Sequence, residues 1–153
     1  TNVPADLNNV VAVASGDYHS LALCADGKVV AWGYGGNGQT NVPADLSNAV
    51  AIAANGQYSL ALRADGTVAA WGNNEWNQCD VPSPNAGFVA ISAGMRHSLA
   101  LKADGTIVGW GSNYDRYGSY SGHMVVQSIV PLPNQDFVAV AAGEPARSWP
   151  AIT

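Results

Sequence analysis

Short apolar runs alternate along this chain with polar, glycine-rich turns. Val10–Ala14 is apolar, contains β-branched residues and ends at Gly16. His19–Cys24 alternates polar and apolar positions, the period of a half-buried strand. Asp26–Gly27 follows, a dipeptide suited to a tight hairpin because both central residues tolerate positive φ. Lys28–Trp32 returns as a third strand and stops at Gly33. A polar Gly/Asn loop then leads to Thr40–Pro43, which reads as an outer fourth strand; its proline suits an edge, where a missing N–H does least harm.

The same pattern returns at a fixed interval. Thr1–Gln39 aligns without a gap on Thr40–Gln78, a third copy begins at Cys79, and Trp32, Trp71 and Trp110 are evenly spaced at that repeat. Three or four antiparallel strands in about 40 residues is the geometry of a propeller blade. The chain is therefore expected to be all-β: a partial β-propeller of about 3.5 blades, each a three- to four-stranded antiparallel meander. It reads as one repeat domain over 1–153, with repeats 1–39, 40–78, 79–128 and an incomplete 129–153.

Two departures break the regularity. Trp110 and Val130 stand twice as far apart in sequence as Trp32 and Val42 or Trp71 and Val81, so a ten-residue insertion lies within Gly111–Ser128. The fourth copy begins with Val130–Pro131 and Phe137–Gly143, then loses the pattern from Glu144 onward. Each blade packs one face on the next, so the outer faces of an open arc stay uncovered. Exposed apolar area of that kind marks interfaces, and the chain is expected to associate with itself, as a homodimer or a higher ring-completing oligomer.

The motif G-x-x-H-S-L-A-L-x-A-D-G-x-V-x-x-W-G, followed by N-x-x-G-Q-T-x-V-P, resembles bacterial proteins of the RCC1-like propeller family. The resemblance covers residues 1–111 well and 130–143 in part. It implies closed rings of blades and functions in protein recognition: nucleotide exchange on a small GTPase in eukaryotes, β-lactamase inhibition in a bacterial secreted member. An extracellular location follows from the resemblance alone.

Charge narrows the partners. Six Lys/Arg stand against eleven Asp/Glu, a formal net charge of -5. The cations Lys28, Arg63, Arg96, Lys102, Arg116 and Arg147 are scattered singly. Phosphate neutralisation needs them clustered, so no nucleic acid is expected as a partner. No apolar run reaches membrane-spanning length, and no basic segment followed by an apolar one reads as a signal peptide. Cys24 and Cys79 lack metal-ligand spacing, and a disulfide between them is the minor alternative.

Catalytic chemistry finds little support. Gly33–Gly38 matches G-x-G-x-x-G, but no helix is predicted after it to hold a pyrophosphate, so it reads as a loop. His19 and His97 share a repeat position with Tyr58, an exchange a catalytic base would not tolerate; they read as structural, their ring nitrogens bonded to backbone. Ser20, Ser59 and Ser98 recur in every copy, which points to packing or hydrogen bonding. His123 and Asp115 are too few to hold a metal. The expectation is no enzyme, no cofactor and no metal.

Variation on a repetitive scaffold is more informative. In a meander, the first-to-second and third-to-fourth connections share one edge. There the copies differ: Asp17 and Tyr18, Gly56 and Gln57, Met95 and Arg96 in one connection; Tyr34, then Glu75 and Trp76, then Tyr114, Arg116 and Tyr117 in the other. The opposite edge repeats Ala-Asp-Gly and Ala-Asp-Leu. Loops on rigid supports carry binding, and Tyr, Trp, Met and Arg are enriched at interfaces. Tyr18, Tyr34, Trp76, Met95, Arg96, Tyr114, Arg116 and Tyr117 are thus the candidate binding face of a protein-binding module. A hydrolase inhibitor is a specific form of that reading; a glycan-binding module and a structural piece of a larger propeller are the alternatives.

Overall fold

A computed structural model describes residues 2–112, 130 and 134–142. Its nine strands form three sheets, each a three-stranded antiparallel meander. The first contains β1 (Val10–Ser15), β2 (His19–Cys24) and β3 (Val29–Gly33). The second contains β4 (Ala49–Asn55), β5 (Tyr58–Arg63) and β6 (Val68–Gly72), and the third β7 (Phe88–Ala93), β8 (His97–Lys102) and β9 (Ile107–Gly111). β4 touches β1 and β2, and β7 touches β4 and β5, so the sheets stack as successive blades with their first strands adjacent. Each first strand carries a β-bulge at the same place, which turns Val11, Val50 and Val89 out to solvent.

The middle strands are buried on both faces rather than half-buried, because a blade lies on either side. Their period of two separates large from small. Leu21 and Leu23 pack toward the second blade, where Ala61, Ala69 and Trp71 meet them. Leu60 and Leu62 repeat this against Ala100 and Trp110 of the third. Leucine on one face and alanine on the other lets flat sheets interdigitate at interior packing density.

The hairpins differ in detail from the expected two-residue turn. Cys24 N donates to Lys28 O and Gly27 N to Cys24 O, closing a three-residue loop in which Gly27 alone takes positive φ, at 82°. That is the turn-plus-bulge hairpin, with glycine at the left-handed position. The aspartates act through their carboxylates: Asp65 Oδ1 accepts from Thr67 N at 3.0 Å and Thr67 Oγ1 at 2.7 Å, and Asp104 does the same with Thr106.

The segment Thr40–Pro43 forms no strand. Val42 N donates to Thr40 O and Leu46 N to Pro43 O, so its amides are used in local turns. It acts instead as a strap between blades. Gln39 O accepts Ser59 Oγ at 3.1 Å and Trp71 Nε1 at 2.9 Å; Gln78 O accepts Ser98 Oγ at 2.9 Å and Trp110 Nε1 at 2.8 Å. The recurrent serines and tryptophans thus hold each strap to the blade that follows.

A ring from the previous blade completes the clasp. His19 Nε2 lies 2.9 Å from Ser59 Oγ. Ser59 spends its hydroxyl proton on Gln39 O, so His19 must be the donor, and its bonded partner is a side chain rather than the backbone expected. At the equivalent place Tyr58 donates to His97 O at 2.6 Å and lies 3.0 Å from Ser98 Oγ. The histidine needs glycine beside it: a Cβ on Gly16 would sit 2.3 Å from His19 Cε1, and one on Gly94 2.2 Å from His97 Cε1. Blade 2 pairs tyrosine with Asn55 in that slot.

A second clasp works at the hairpin edge. Asn85 accepts from Val68 N at 2.8 Å and donates to Val68 O at 2.9 Å, and Asn134 does the same to Ile107 at 2.8 Å each. Leu46 stands at that repeat position beside the first blade and packs into the apolar cluster instead.

Replacing Asn85 by alanine leaves two backbone groups without partners and should cost about 1–3 kcal/mol in urea unfolding; an unchanged midpoint would show that water substitutes fully. Desolvation holds the His19 pKa below its ordinary value, against a smaller opposing pull from Asp17. The folded state keeps this ring neutral while the unfolded chain binds a proton near pH 6.5. Stability contributed by neutral His19 is therefore complete above that pH and lost as pH falls toward the depressed folded value. Melting temperature should drop more steeply below pH 7 in the native chain than in His19→Gln; parallel pH profiles would remove His19 as the cause.

Candidate functional site

The strand ends opposite the Asp-Gly hairpins form one continuous edge. Within each blade a repeated hydrogen bond ties the loop after the third strand to the loop between the first two: Tyr34 N to Tyr18 O, Asn73 N to Gln57 O and Ser112 N to Arg96 O, at 2.8, 2.9 and 2.8 Å. Between blades, Asp17 N donates to Gly56 O. A Cβ on Gly56 would lie 2.8 Å from Met95 O, so glycine admits the third blade's loop. Tyr18, Tyr34, Trp76, Met95 and Arg96 are brought together on this edge. Tyr114, Arg116 and Tyr117, with His123 and the insertion, lie outside the described residues.

The aromatic side chains stand in solvent. Tyr18 is 62% exposed, Tyr34 57% and Trp76 36%. Tyr18 and Tyr34 meet edge to face with ring centroids 6.3 Å apart, a favoured aromatic geometry. Tyr34 also folds over its own loop: a Cβ on Gly36 would lie 2.1 Å from the Tyr34 hydroxyl. Gly36, which makes that room, is not one of the three glycines of the G-x-G-x-x-G match. Of those, a Cβ on Gly35 would face Thr40 Oγ1, Gly33 and Gly38 take positive φ, and β3 leads into a loop rather than a helix. Trp76 lies under the Arg96 guanidinium, whose carbon is 4.4 Å from the ring centroid. Met95 and Arg96 are half-buried.

Gln39 and Gln78 are the positioning residues that the sequence reading passed over. Each supplies its carbonyl to the inter-blade clasp and its side chain to the loop above. Gln39 Oε1 accepts from Asn37 N, and Gln78 Oε1 from Trp76 N, both at 2.9 Å. Gln78 Nε2 donates to Asn73 Oδ1 at 3.0 Å. Tyr34 occupies the position of Asn73 in the first blade, and Gln39 Nε2 there is buried without a partner. The signal was available: glutamine recurs at the same repeat position twice.

Among the described residues no group of three or more His, Cys, Asp or Glu side chains could hold a metal. Cys24 and Cys79 are free, and burial pushes the Cys79 thiol up to about 12. No helix among the described residues is long and apolar enough to cross a membrane.

Comparison with known proteins places these blades. The model of the regulator of chromosome condensation (RCC1) repeat matches residues 10–39, 49–78 and 88–118. The RCC1 domain-containing protein RUG3, mitochondrial, of Arabidopsis thaliana is 57% identical over 30 residues, 20% of this chain and 7% of that protein. Human WBSCR16 superposes with a TM-score of 0.65 at 27% identity, over 73% of this chain and 35% of its own. Prp20p of Saccharomyces cerevisiae, known for its binding properties to Gsp1p and histones, superposes at 0.60 with 26% identity, over 72% and 35%. The chain therefore spans about a third of the solved propellers it matches. With three matched repeats over more than half its length, and each folded as a blade, the chain belongs to the RCC1 repeat family.

Proposed function

We propose that this chain is a non-enzymatic protein-binding propeller module, and that its binding surface is the loop edge carrying Tyr18, Tyr34, Trp76, Met95 and Arg96. The observation that carries this reading is the exchange at Tyr34. In the second blade Asn73 satisfies the buried amide of Gln78. Tyrosine in its place leaves Gln39 Nε2 buried without a partner and puts a large aromatic ring into water. An unmet buried donor costs about 1–3 kcal/mol, and local rules broken at that expense cluster at functional sites. The protein partners of Prp20p agree in kind. A hydrolase inhibitor would use the same edge, supported by family resemblance alone. Glycan binding would also use exposed tyrosines, but would depend on one or two of them rather than on several loops.

Tyr34→Asn should raise the melting temperature, by giving Gln39 Nε2 an acceptor, and should reduce partner capture by a photo-crosslinker placed at position 76. The same crosslinker at Asp26 or Asp65, on the opposite edge, should capture little. Equal capture from both edges would place the binding surface elsewhere.

A second reading, association with another copy of the chain, is favoured by the face of the first blade turned away from the second. Val13 is 72% exposed, whereas Ile52 and Ile91 at its repeat positions pack into inter-blade clusters. Trp32 is half-buried where Trp71 and Trp110 are buried. Light scattering should show the mass rising above that of one chain with concentration; a constant single-chain mass across the micromolar range sinks this reading.

A further inference from the structure

Trp76 and Arg96 occupy the same cross-blade positions as Asn37 and Gln57, one repeat earlier. Between the first and second blades the pair is two amides, with Asn37 Nδ2 donating to Gln57 Oε1, each using hydrogen-bonding capacity of the other. Between the second and third it is an indole and a guanidinium. An aromatic face attracts a cation yet takes none of its N–H donors. The Arg96 side chain finds no hydrogen-bond acceptor among the described residues, whereas Arg63 is committed to Asp45 at 3.2 Å. Both members of the pair are held from behind, Arg96 through its carbonyl by Ser112 N and Trp76 through its amide by Gln78 Oε1.

We propose that Arg96, braced against Trp76, anchors a side-chain carboxylate of an acidic segment in a protein bound to the loop edge; this rests on the protein-binding reading above. A guanidinium presents donors in a planar fork that matches a carboxylate in two parallel bonds. The indole lies against the guanidinium, 4.4 Å from its carbon to the ring centroid, which limits its rotamers, so less freedom is lost when the carboxylate arrives. Charge assigns the contact its role. A net charge of -5 repels an acidic partner at long range, so the pair acts after docking and contributes register and specificity rather than association rate. A side chain is favoured over a chain terminus as the source, because Tyr18 and Tyr34 extend the surface across two further loops, which a terminus alone would not cover.

The test is NMR on the isotope-labelled full chain. The Arg96 Nε–Hε and Trp76 indole N–H signals are followed while chloride is exchanged for acetate at constant ionic strength, and then while an amidated hexaglutamate peptide is added, with hexaglutamine as control. Both signals should move and saturate with acetate and hexaglutamate, while Arg63 stays still. Trp76→Ala should weaken the apparent affinity roughly three- to fivefold, as expected for an exposed cation–π brace, and Arg96→Gln should abolish the response. Equal movement of Arg63 and Arg96 would mean screening alone and overturn the proposal, as would saturation unchanged by Trp76→Ala. Response to a free C-terminal carboxylate on hexaserine, with none to amidated hexaglutamate, would overturn the side-chain assignment. A silent Arg96 with capture at position 76 intact removes this anchor and leaves the protein-binding reading standing.

Discussion

Two strap carbonyls, those of Gln39 and Gln78, hold this structure in register. Each accepts a serine hydroxyl and an indole N–H from the blade that follows, in a site closed to water. Buried polar groups must be paired, so the straps fix how far each blade can slide or rotate on its neighbour. The apolar layers could not do this alone: leucine against alanine is favourable over a range of offsets, because the hydrophobic effect has no direction. Hydrogen bonds supply the direction. The loops above inherit that accuracy, since the glutamines that give the carbonyls also hold Asn37 and Trp76 by their side chains.

Repeats that look interchangeable are internally matched. His19 and His97 lie beside Gly16 and Gly94 because their rings occupy the volume a Cβ would need. Tyr58 reaches across to the next blade and has Asn55 at the glycine position, where Asn55 donates to Ala93 O and accepts from Gly56 N. The exchange of histidine for tyrosine is therefore one half of a pair of substitutions. It preserves the contact to the serine of the following blade while the ring lengthens. Both histidines are almost fully buried, as their packing between blades requires.

The two edges of the blades answer to different demands. At the hairpin edge, aspartate and glycine serve the backbone in the same way in all three blades, and their repetition follows from turn geometry. At the loop edge, the backbone bonds between loops are just as regular, yet the side chains they carry are not. A regular main chain with irregular side chains is what a scaffold for recognition requires. The pairing of Trp76 with Arg96 at the place of Asn37 with Gln57 shows one backbone site used for two chemistries.

The strands, the repeat, the blade architecture and the shared loop edge were legible in the sequence, because each depends on period and turn chemistry that a linear pattern records. The repeat interval alone places Tyr18, Gln57 and Arg96 at one blade position. The sequence misread Thr40–Pro43 as a strand and the middle strands as half-buried. Both errors have the same origin: burial and strap geometry are set by the neighbouring blade, which lies a full repeat away along the chain and leaves no local trace. Only the tertiary structure showed that Gln39 and Gln78 clasp successive blades, that His19 bonds Ser59, and that Trp76 meets Arg96. Those contacts join residues far apart in the chain, and a repeat pattern says which positions are alike without saying which ones touch.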